Sequence, residues 1–207
     1  MENDDDRPMR VEAAPETTAI MTRVTREEVV AASGAAVGIE ILLNDPMASL
    51  AVAKASGAAF IRTDYFVDPM ERPEHGGAVA IDPEGLMAYR RQIGTEDVLI
   101  LADIQVKYAT MMVERSLAES AALAAAHGAD GIIVSGLVTG QPPPIDEVAA
   151  AKQGDGSVPV LIGSGADADN IAALLSVADG TIVGTSLKDG DGIVADRVAT
   201  LVAAVRP

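Results

Sequence analysis

The 207-residue sequence contains no cysteine and no tryptophan, and aromatic residues make up only 2% of it. The absence of cysteine excludes a disulfide framework, a thiolate zinc site, an iron–sulfur cluster and a cysteine nucleophile. Because aromatic side chains are so scarce, the core must be built from Ala, Val, Ile, Leu and Met. The two histidines are too few for a typical transition-metal site, and no motif favours a carboxylate cation site. We therefore expect neither a metal nor a cofactor.

Basic residues are also scarce, since 15 Lys and Arg stand against 31 Asp and Glu, for a net charge of −16. Such a charge repels phosphate backbones and anionic membrane surfaces, which argues against nucleic-acid binding. No run of about 18 apolar residues is present, so no membrane span is predicted. The first ten residues show no signal peptide, and a cytoplasmic location is the default expectation. Asp4–Asp6 and His75 are interpreted as solvated surface rather than ligands.

Short apolar runs alternate along the chain with segments that carry helix start and stop signals. The runs are rich in Ile, Val and Leu without clean period-2 alternation, which is typical of strands buried on both faces of a parallel sheet. They are Val37–Leu43, Phe60–Arg62, Val98–Asp103, Gly131–Ser135, Val160–Gly163 and Thr181–Gly184. Helices are predicted over Pro15–Ala32, after Asp45, after Asp82, after the capping box of Ser116 and Glu119, and over Asp146–Lys152, Asp167–Ala178 and Asp196–Val205.

This alternation predicts parallel β-α-β units in an α/β domain that covers residues 1–207. An open doubly wound sheet and a (β/α)8 TIM barrel both fit the pattern. Six strands suit the open sheet by count, whereas the motifs below favour a barrel reduced to about six β/α units. Residues 64–81 form a long Pro/Gly-rich connection, which is either a lid over a site or a disordered insertion.

Two consecutive strands near the end of the chain each finish in small residues. One ends in Gly163-Ser164-Gly165 and the next in Gly184-Thr185-Ser186, with Lys188 shortly after. Glycine allows backbone N–H groups to approach an anion closely, and a phosphate site between the last two strands is typical of TIM barrels. The hydroxyl groups and the Lys188 cation would add donors. The alternative is a pair of ordinary strand-to-helix turns.

Asp103 ends a buried strand, and Lys107 follows it four residues later. The carboxyl edge of a parallel sheet is where α/β active sites lie, so we expect Asp103 there. An acid and a lysine held together would serve in proton transfer or, with a carbonyl substrate, in Schiff-base chemistry. These two are the candidate catalytic residues. The alternative is a structural Asp–Lys ion pair.

Polar residues after three other strands are candidate substrate contacts. Ser135 and Thr139 follow one strand, Arg62 and Asp64 end another, and Asn44 follows the first visible strand. Arg62 and Asp64 share a face in an extended segment, so they would contact a ligand or pair with each other. Asn44 lies beside a helix start, where a capping role is the alternative.

Four motifs together resemble those of the BtpA/SgcQ family. They are DIQVKYA from Asp103, VSGLVTG from Val134, VLIGSGADADN from Val160 and DGTIVGTSLK from Asp179. The family is placed among the phosphate-binding TIM barrels, so the resemblance implies that fold and a phosphate site. The opening resembles the segment after the family's second strand, which implies a chain that lacks the first strand, the first helix and most of the second strand. A late start site, a degraded gene product or a homo-oligomer that pairs open sheet edges would each account for this.

The sequence departs from the family pattern at two places. Glu40 and Leu43 stand where the family usually has Asn and Arg, and Tyr108 stands where it has His. If that His takes part in proton transfer, activity in this chain is altered or lost. The family includes a class that supports photosystem I accumulation and another that lies among sugar-uptake genes, with no reaction firmly attached.

Two functional hypotheses follow from the residues and the resemblance. The first is an enzyme, or degenerate enzyme, that acts on a phosphorylated sugar or nucleoside as an isomerase, epimerase or aldolase-type lyase. The second is a non-catalytic assembly or stability factor. The sequence does not rank the reactions.

Overall fold

The computed structural model describes residues 1–3, 10–42, 44–73, 77–154 and 156–205, so Asp4–Asp6, Leu43 and His75 lie outside the described residues. Its strands are β1 (Gly38–Ile39), β2 (Phe60–Thr63), β3 (Met70–Arg72), β4 (Gly77–Ala78), β5 (Leu99–Ile104), β6 (Thr110–Met111), β7 (Gly131–Val134), β8 (Val160–Ile162), β9 (Gly180–Thr181), β10 (Lys188–Asp189) and β11 (Gly192–Ile193). Strands close to all six predicted apolar runs are present.

The chain is helical from Pro15 to Ser33, as α1 (Pro15–Val24), a π-helical segment (Thr25–Val30) and α2 (Ala31–Ser33). The other helices are α3 (Pro46–Ser56), α4 (Pro83–Gln92), α5 (Leu117–Ala126), α6 (Ile145–Gly154), α7 (Ile171–Leu174) and α8 (Ala195–Val205). In the part of the chain that the structure covers, no helix combines the length and apolar character needed to cross a bilayer.

The main sheet decides between the two predicted architectures. Its six strands are parallel and run in the order β1-β2-β5-β7-β8-β9, which is also their order along the chain. A doubly wound sheet reverses its strand order at a switch point, whereas a TIM barrel keeps sequence order throughout. The prediction of a TIM-type fold with about six β/α units is confirmed.

The first three residues extend the sheet beyond β1. Glu2 forms a parallel bridge to Glu40, and Met1 O accepts a hydrogen bond from Glu40 N at 3.0 Å. The Asn3 side chain adds a second link, since its Oδ1 accepts from Leu42 N at 2.7 Å. Glu2 is therefore held at the same end of the sheet as the residues that follow β1.

The core lies between the sheet and its helices and is aliphatic, as the composition predicts. All four residues of β7 are buried, which explains why that strand shows no alternation. The largest side chains with almost no exposure are mainly aliphatic: Ile39, Ile41, Leu50, Ile61, Met70, Leu86, Ile100, Ile104, Ile132 and Ile133, together with Phe66.

The long connection after β2 is folded in its described part. β3 pairs antiparallel with both β4 and β6 in a small second sheet, and Tyr65, Phe66 and Val67 are buried. The disordered-insertion hypothesis is therefore wrong for the described residues, and a lid role stays a prediction. Sequence analysis missed β3, β4 and β6 because each is two or three residues long.

Local capping signals set the starts of α3, α4 and α5. The Asp45 side chain accepts from Ala48 N, and that of Asp82 accepts from Gly85 N, as predicted. The helix predicted over Asp167–Ala178 is wrong in length, since α7 begins only at Ile171. There Asp167 Oδ1 accepts from the backbone N–H of Asp169 and Asn170, and this turn delays the helix.

The capping box of α5 gives a stability prediction. Ser116 Oγ accepts from Glu119 N at 3.2 Å, and Glu119 Oε2 accepts from Ser116 N at 2.8 Å. Ser116→Ala is expected to lower the free energy of unfolding by about 1 kcal/mol, because one N-terminal N–H loses its partner. Urea unfolding measures this loss. Ser116→Asp, which keeps an acceptor, is the matched control, and an unchanged midpoint for Ser116→Ala would contradict the prediction.

Candidate functional site

A cavity of about 310 Å³ lies at the carboxyl ends of the last strands of the main sheet. It brings together the loops after β8 and β9, Arg62 from β2 and Lys107 from the loop after β5. Its walls are formed by Glu2, Arg62, Lys107, Thr139, Gly140, Gly163, Ser164, Gly165, Ala166, Asp167, Ile182, Gly184, Thr185 and Ser186. Most residues predicted to bind phosphate therefore line one cavity.

The glycines of the first loop serve packing. A Cβ at Gly163 would lie 2.5 Å from Ser135 Oγ, and one at Gly165, whose φ is +75°, would lie 1.9 Å from Pro142 N. Both glycines allow the loop after β8 to pack directly on the loop after β7. Gly184 differs, because a Cβ there would meet nothing within 4 Å. Among these glycines, only Gly184 has space beside it that a ligand would fill.

The hydroxyl groups of the two loops are partly engaged within the protein. Ser164 Oγ donates to Gln141 O at 2.8 Å and accepts from Gly136 N at 3.1 Å, and Ser186 Oγ donates to Ala166 O at 2.8 Å. These bonds fasten the loops to each other. Thr185 is exposed at the cavity, whereas Lys188 lies in exposed β10 and is not among the cavity walls.

The Asp103–Lys107 pair expected from the sequence is replaced by another ion pair. Arg62 donates to the buried carboxylate of Asp103 through Nε at 2.7 Å and Nη2 at 2.9 Å, and Ser135 Oγ donates to it at 3.2 Å. This bidentate geometry is the strong form of an Arg–carboxylate pair. Asp103 is thereby fixed under Arg62, and Lys107 stands in the cavity wall.

Two further carboxyl groups surround Arg62. Glu40 Oε2 lies 3.5 Å from Arg62 Nη1, and Asp64 Oδ1 lies 4.0 Å from Nη2. Burial and the charge of Asp64 raise the pKa of Glu40 well above its usual range. Burial and the charge of Asp103 raise the pKa of Asp64 to about 6. Sequence analysis did not propose Glu40 as a site residue, although a glutamate inside the apolar run Val37–Leu43 was a usable signal.

The remaining candidates, Asn44 and Thr139, take part in hydrogen bonds that hold loops. Asn44 Oδ1 accepts from Thr63 Oγ1 at 2.9 Å and Tyr65 N at 3.2 Å, so its amide fixes the chain after β2. Tyr108 OH donates to Thr139 Oγ1 at 3.1 Å and accepts from Thr139 N at 2.9 Å, which joins the loops after β5 and β7. These hydrogen bonds lower the pKa of the exposed Tyr108 phenol. Within the described ranges, no cluster of three or more His, Asp or Glu side chains is placed to hold a metal ion.

The curled parallel sheet, with a cavity at the carboxyl ends of its strands, defines an α/β protein of the TIM-barrel type. Solved structures share this fold at low identity. The chain matches 3-hexulose-6-phosphate synthase with a TM-score of 0.61 and 16% identity, over 92% of this chain and 82% of the synthase. It matches N-(5'-phosphoribosyl)anthranilate isomerase from Pyrococcus furiosus with a TM-score of 0.59 and 13% identity, over 89% and 80%. Such identities show the fold alone.

The sequence comparisons identify the family. The BtpA family model matches residues 1–206, and the chain belongs to the BtpA family. It is 41% identical over 155 residues to the photosystem I biogenesis protein BtpA of Synechocystis sp., which covers 74% of this chain and 53% of that protein. It is 36% identical over 206 residues to a protein of Archaeoglobus fulgidus, over 100% of this chain and 81% of that protein. The chain thus spans about half the length of the Synechocystis relative.

Proposed function

We propose that the chain binds a phosphorylated small molecule, a sugar or nucleoside phosphate, and acts on it as an isomerase, epimerase or aldolase-type lyase. The observation that carries this proposal is the cavity in which the loops after β8 and β9 meet the cations Arg62 and Lys107. In a chain with a net charge of −16, two cations that line one cavity with the glycine-containing loops favour an anionic ligand.

The structural neighbours support the class of ligand. The names of 3-hexulose-6-phosphate synthase, phosphoribosyl anthranilate isomerase and thiamine phosphate pyrophosphorylase each specify a phosphorylated compound. These proteins share the TIM-type sheet that places the cavity of this chain at the ends of β8 and β9. The likeness in fold supports a phosphorylated ligand without selecting one reaction.

Lys107 lines the cavity and is the residue that would take part in the chemistry. Isomerases and epimerases move a proton next to a carbonyl, which requires an acid and a base close to the ligand. Lys107 would bind the ligand's anionic group or, as a neutral amine, condense with its carbonyl and release water. Asp103 is held in a bidentate pair, so its part is to fix Arg62 at the cavity.

A second candidate function is assembly or stability of a protein complex. The observation that favours it is 41% identity to a relative named for photosystem I biogenesis. Under this candidate, the glycine loops are structural and anion binding is not required. Anion binding at the cavity therefore separates the two functions.

Gly184→Ala is expected to weaken binding of inorganic phosphate and of sugar phosphates by at least about ten-fold, because the methyl group occupies the space where an anion approaches the backbone. The added Cβ meets nothing in the protein, so the fold should tolerate it. Isothermal titration of wild type and variant measures the effect, and thermal melts check folding. Gly156→Ala is the matched control, since a Cβ there also meets nothing within 4 Å and the residue lies outside the cavity.

Each outcome of that titration decides between the candidates. Binding by wild type and Gly156→Ala, with a loss in Gly184→Ala, supports a phosphate site. Binding that Gly184→Ala leaves unchanged would contradict the proposed cavity. A folded wild-type chain that binds none of the phosphates would overturn the proposal in favour of the assembly role.

A further inference from the structure

Arg62 is outnumbered by the carboxyl groups that surround it. Asp103 accepts hydrogen bonds from Arg62 Nε and Nη2. Glu40 Oε2 lies 3.5 Å from Arg62 Nη1, and Asp64 Oδ1 lies 4.0 Å from Arg62 Nη2. The exposed fractions of the Glu40 and Asp64 side chains are only 6% and 14%. One guanidinium cannot neutralise three desolvated carboxylates, because each unpaired buried charge carries a large desolvation penalty.

The shared position of Glu40 and Asp64 indicates how the excess charge is removed. Both carboxyl groups are held against the same guanidinium, at 3.5 and 4.0 Å from its nitrogens. Ionised carboxylates only accept hydrogen bonds, so a hydrogen bond between the two groups needs a proton on one of them. Glu40 Oε1 is buried, and no donor among the described residues reaches it. A proton shared by this pair satisfies both carboxyl groups.

We propose that Glu40 and Asp64 form an acid pair that shares one proton. The fraction of molecules that carry this proton rises when an anionic ligand binds against Arg62. This inference rests on the anion cavity of the proposed function. Arg62 lines the cavity and also contacts both acids, so charge added in the cavity acts on the pair through a few ångströms of low-dielectric interior. By linkage, the protonated pair must favour anion binding to the same extent.

The charged groups around the pair set the direction of this coupling. Those facing Glu40 or Asp64 are Arg62 on β2, Asp103 on β5, Glu2 beside β1 and Lys107 after β5. Among the described residues, Arg62 is the one cation in direct contact with the acids, and it is already paired with Asp103. Loss of the shared proton therefore adds a negative charge beside the cavity, which weakens anion binding as the pH rises. The raised pKa of Asp64, at about 6, centres this change near pH 6, within the range from pH 5.5 to pH 8.

Sulfate is the appropriate probe, because it carries the same charge throughout this pH range. We expect wild type to bind sulfate at least about five-fold more tightly at pH 5.5 than at pH 8, within the usual range of coupling between sites. Calorimetry in two buffers of different ionisation enthalpy, at a pH near 6.5, should show net proton uptake on binding. Glu40→Gln should remove both the pH dependence and the proton uptake.

Matched variants separate the acid pair from general charge effects. Asp64→Asn should behave like Glu40→Gln and keeps the test decisive if one variant fails to fold. Glu96→Gln is the control, because Glu96 is exposed and precedes β5 at the opposite end of the sheet, and it should retain the wild-type pH dependence.

The outcomes distinguish this inference from the function on which it rests. Sulfate binding of equal affinity at both pH values, or wild-type pH dependence in Glu40→Gln or Asp64→Asn, would overturn the acid pair and leave the anion cavity standing. Absence of sulfate binding by the folded wild type at either pH would overturn both.

Discussion

Replacing Arg62 with methionine is expected to lower the free energy of unfolding by about 3–5 kcal/mol at pH 7, the usual cost of removing one partner of a buried ion pair. Arg62 is the cation in direct contact with Glu40, Asp64 and Asp103. Without it, the Ser135 hydrogen bond, at 3.2 Å, is all that the described residues offer the Asp103 carboxylate, and two more acidic groups lie nearby. Urea unfolding of wild type and variant measures the loss.

The loss should shrink as the pH falls from 8 to 5. In the variant, the Glu40 and Asp64 carboxyl groups, whose pKa values burial raises, become neutral at low pH, so the cost of burying their charges disappears. In wild type, burial raises the pKa of Asp64 to about 6, so the folded state binds more protons than the unfolded state between about pH 4 and 6. The stability that the folded wild type gains from protonated Asp64 is therefore present at low pH and is lost as the pH rises through about 6.

Two controls sharpen the Arg62 prediction. Arg91→Met removes an exposed arginine from α4 and should change the free energy of unfolding by less than about 0.5 kcal/mol. A double variant, Arg62→Met with Asp103→Leu, replaces the ion pair with apolar groups and should recover part of the loss. A loss below about 1 kcal/mol for Arg62→Met at pH 7 would contradict the buried-pair argument.

Asp68→Ala is the second substitution with a large expected effect, also about 3–5 kcal/mol. The buried Asp68 carboxylate accepts from Arg115 Nη1 at 2.8 Å, Ser120 Oγ at 2.7 Å and Gln105 N at 2.9 Å. Gln105 has a φ of +46°, a conformation that L residues adopt only when their surroundings hold it. The variant removes the acceptor that fixes this strained residue directly after β5.

Because Gln105 is two residues before Lys107, the Asp68→Ala variant should also weaken binding of inorganic phosphate. Urea unfolding and isothermal titration measure the two effects separately. Asp97→Ala is the matched control, since Asp97 is exposed and precedes β5 at the far end of the strand. Asp68→Ala with wild-type stability would show that Arg115 and Gln105 find other partners, and it would refute the network.

Many elements of this fold are determined by residues that lie close together in the sequence. Asp45, Asp82 and Ser116 each accept from the backbone N–H of the residue three positions on, so their capping role is local. The strands are recognisable because burial on both faces demands continuous Ile, Val and Leu. The motifs from Asp103 onward were sufficient for the family and its TIM-type sheet, which the family match confirms.

The site was predictable in position and only partly in its contacts. Parallel strands bring their carboxyl ends to one edge, so the loops after β8 and β9 and Lys107 were expected together, and they line one cavity. The occupation of Ser164 and Ser186 by backbone carbonyls was not predictable, because their acceptors, Gln141 and Ala166, come close only through loop packing. The packing role of Gly163 and Gly165 has the same origin.

The sequence by itself determined the capped helices, the parallel strands and the small-residue loops, because each depends on neighbours within a few positions or on the periodicity of burial. Only the tertiary structure decided which charges meet. Asp103 pairs with Arg62, 41 positions away, rather than with Lys107 four positions on, because adjacent β2 and β5 bring the two side chains together. Glu40 and Asp64 join them since β1 lies on the other side of β2. Strand register, which no local signal encodes, places three acids around one arginine.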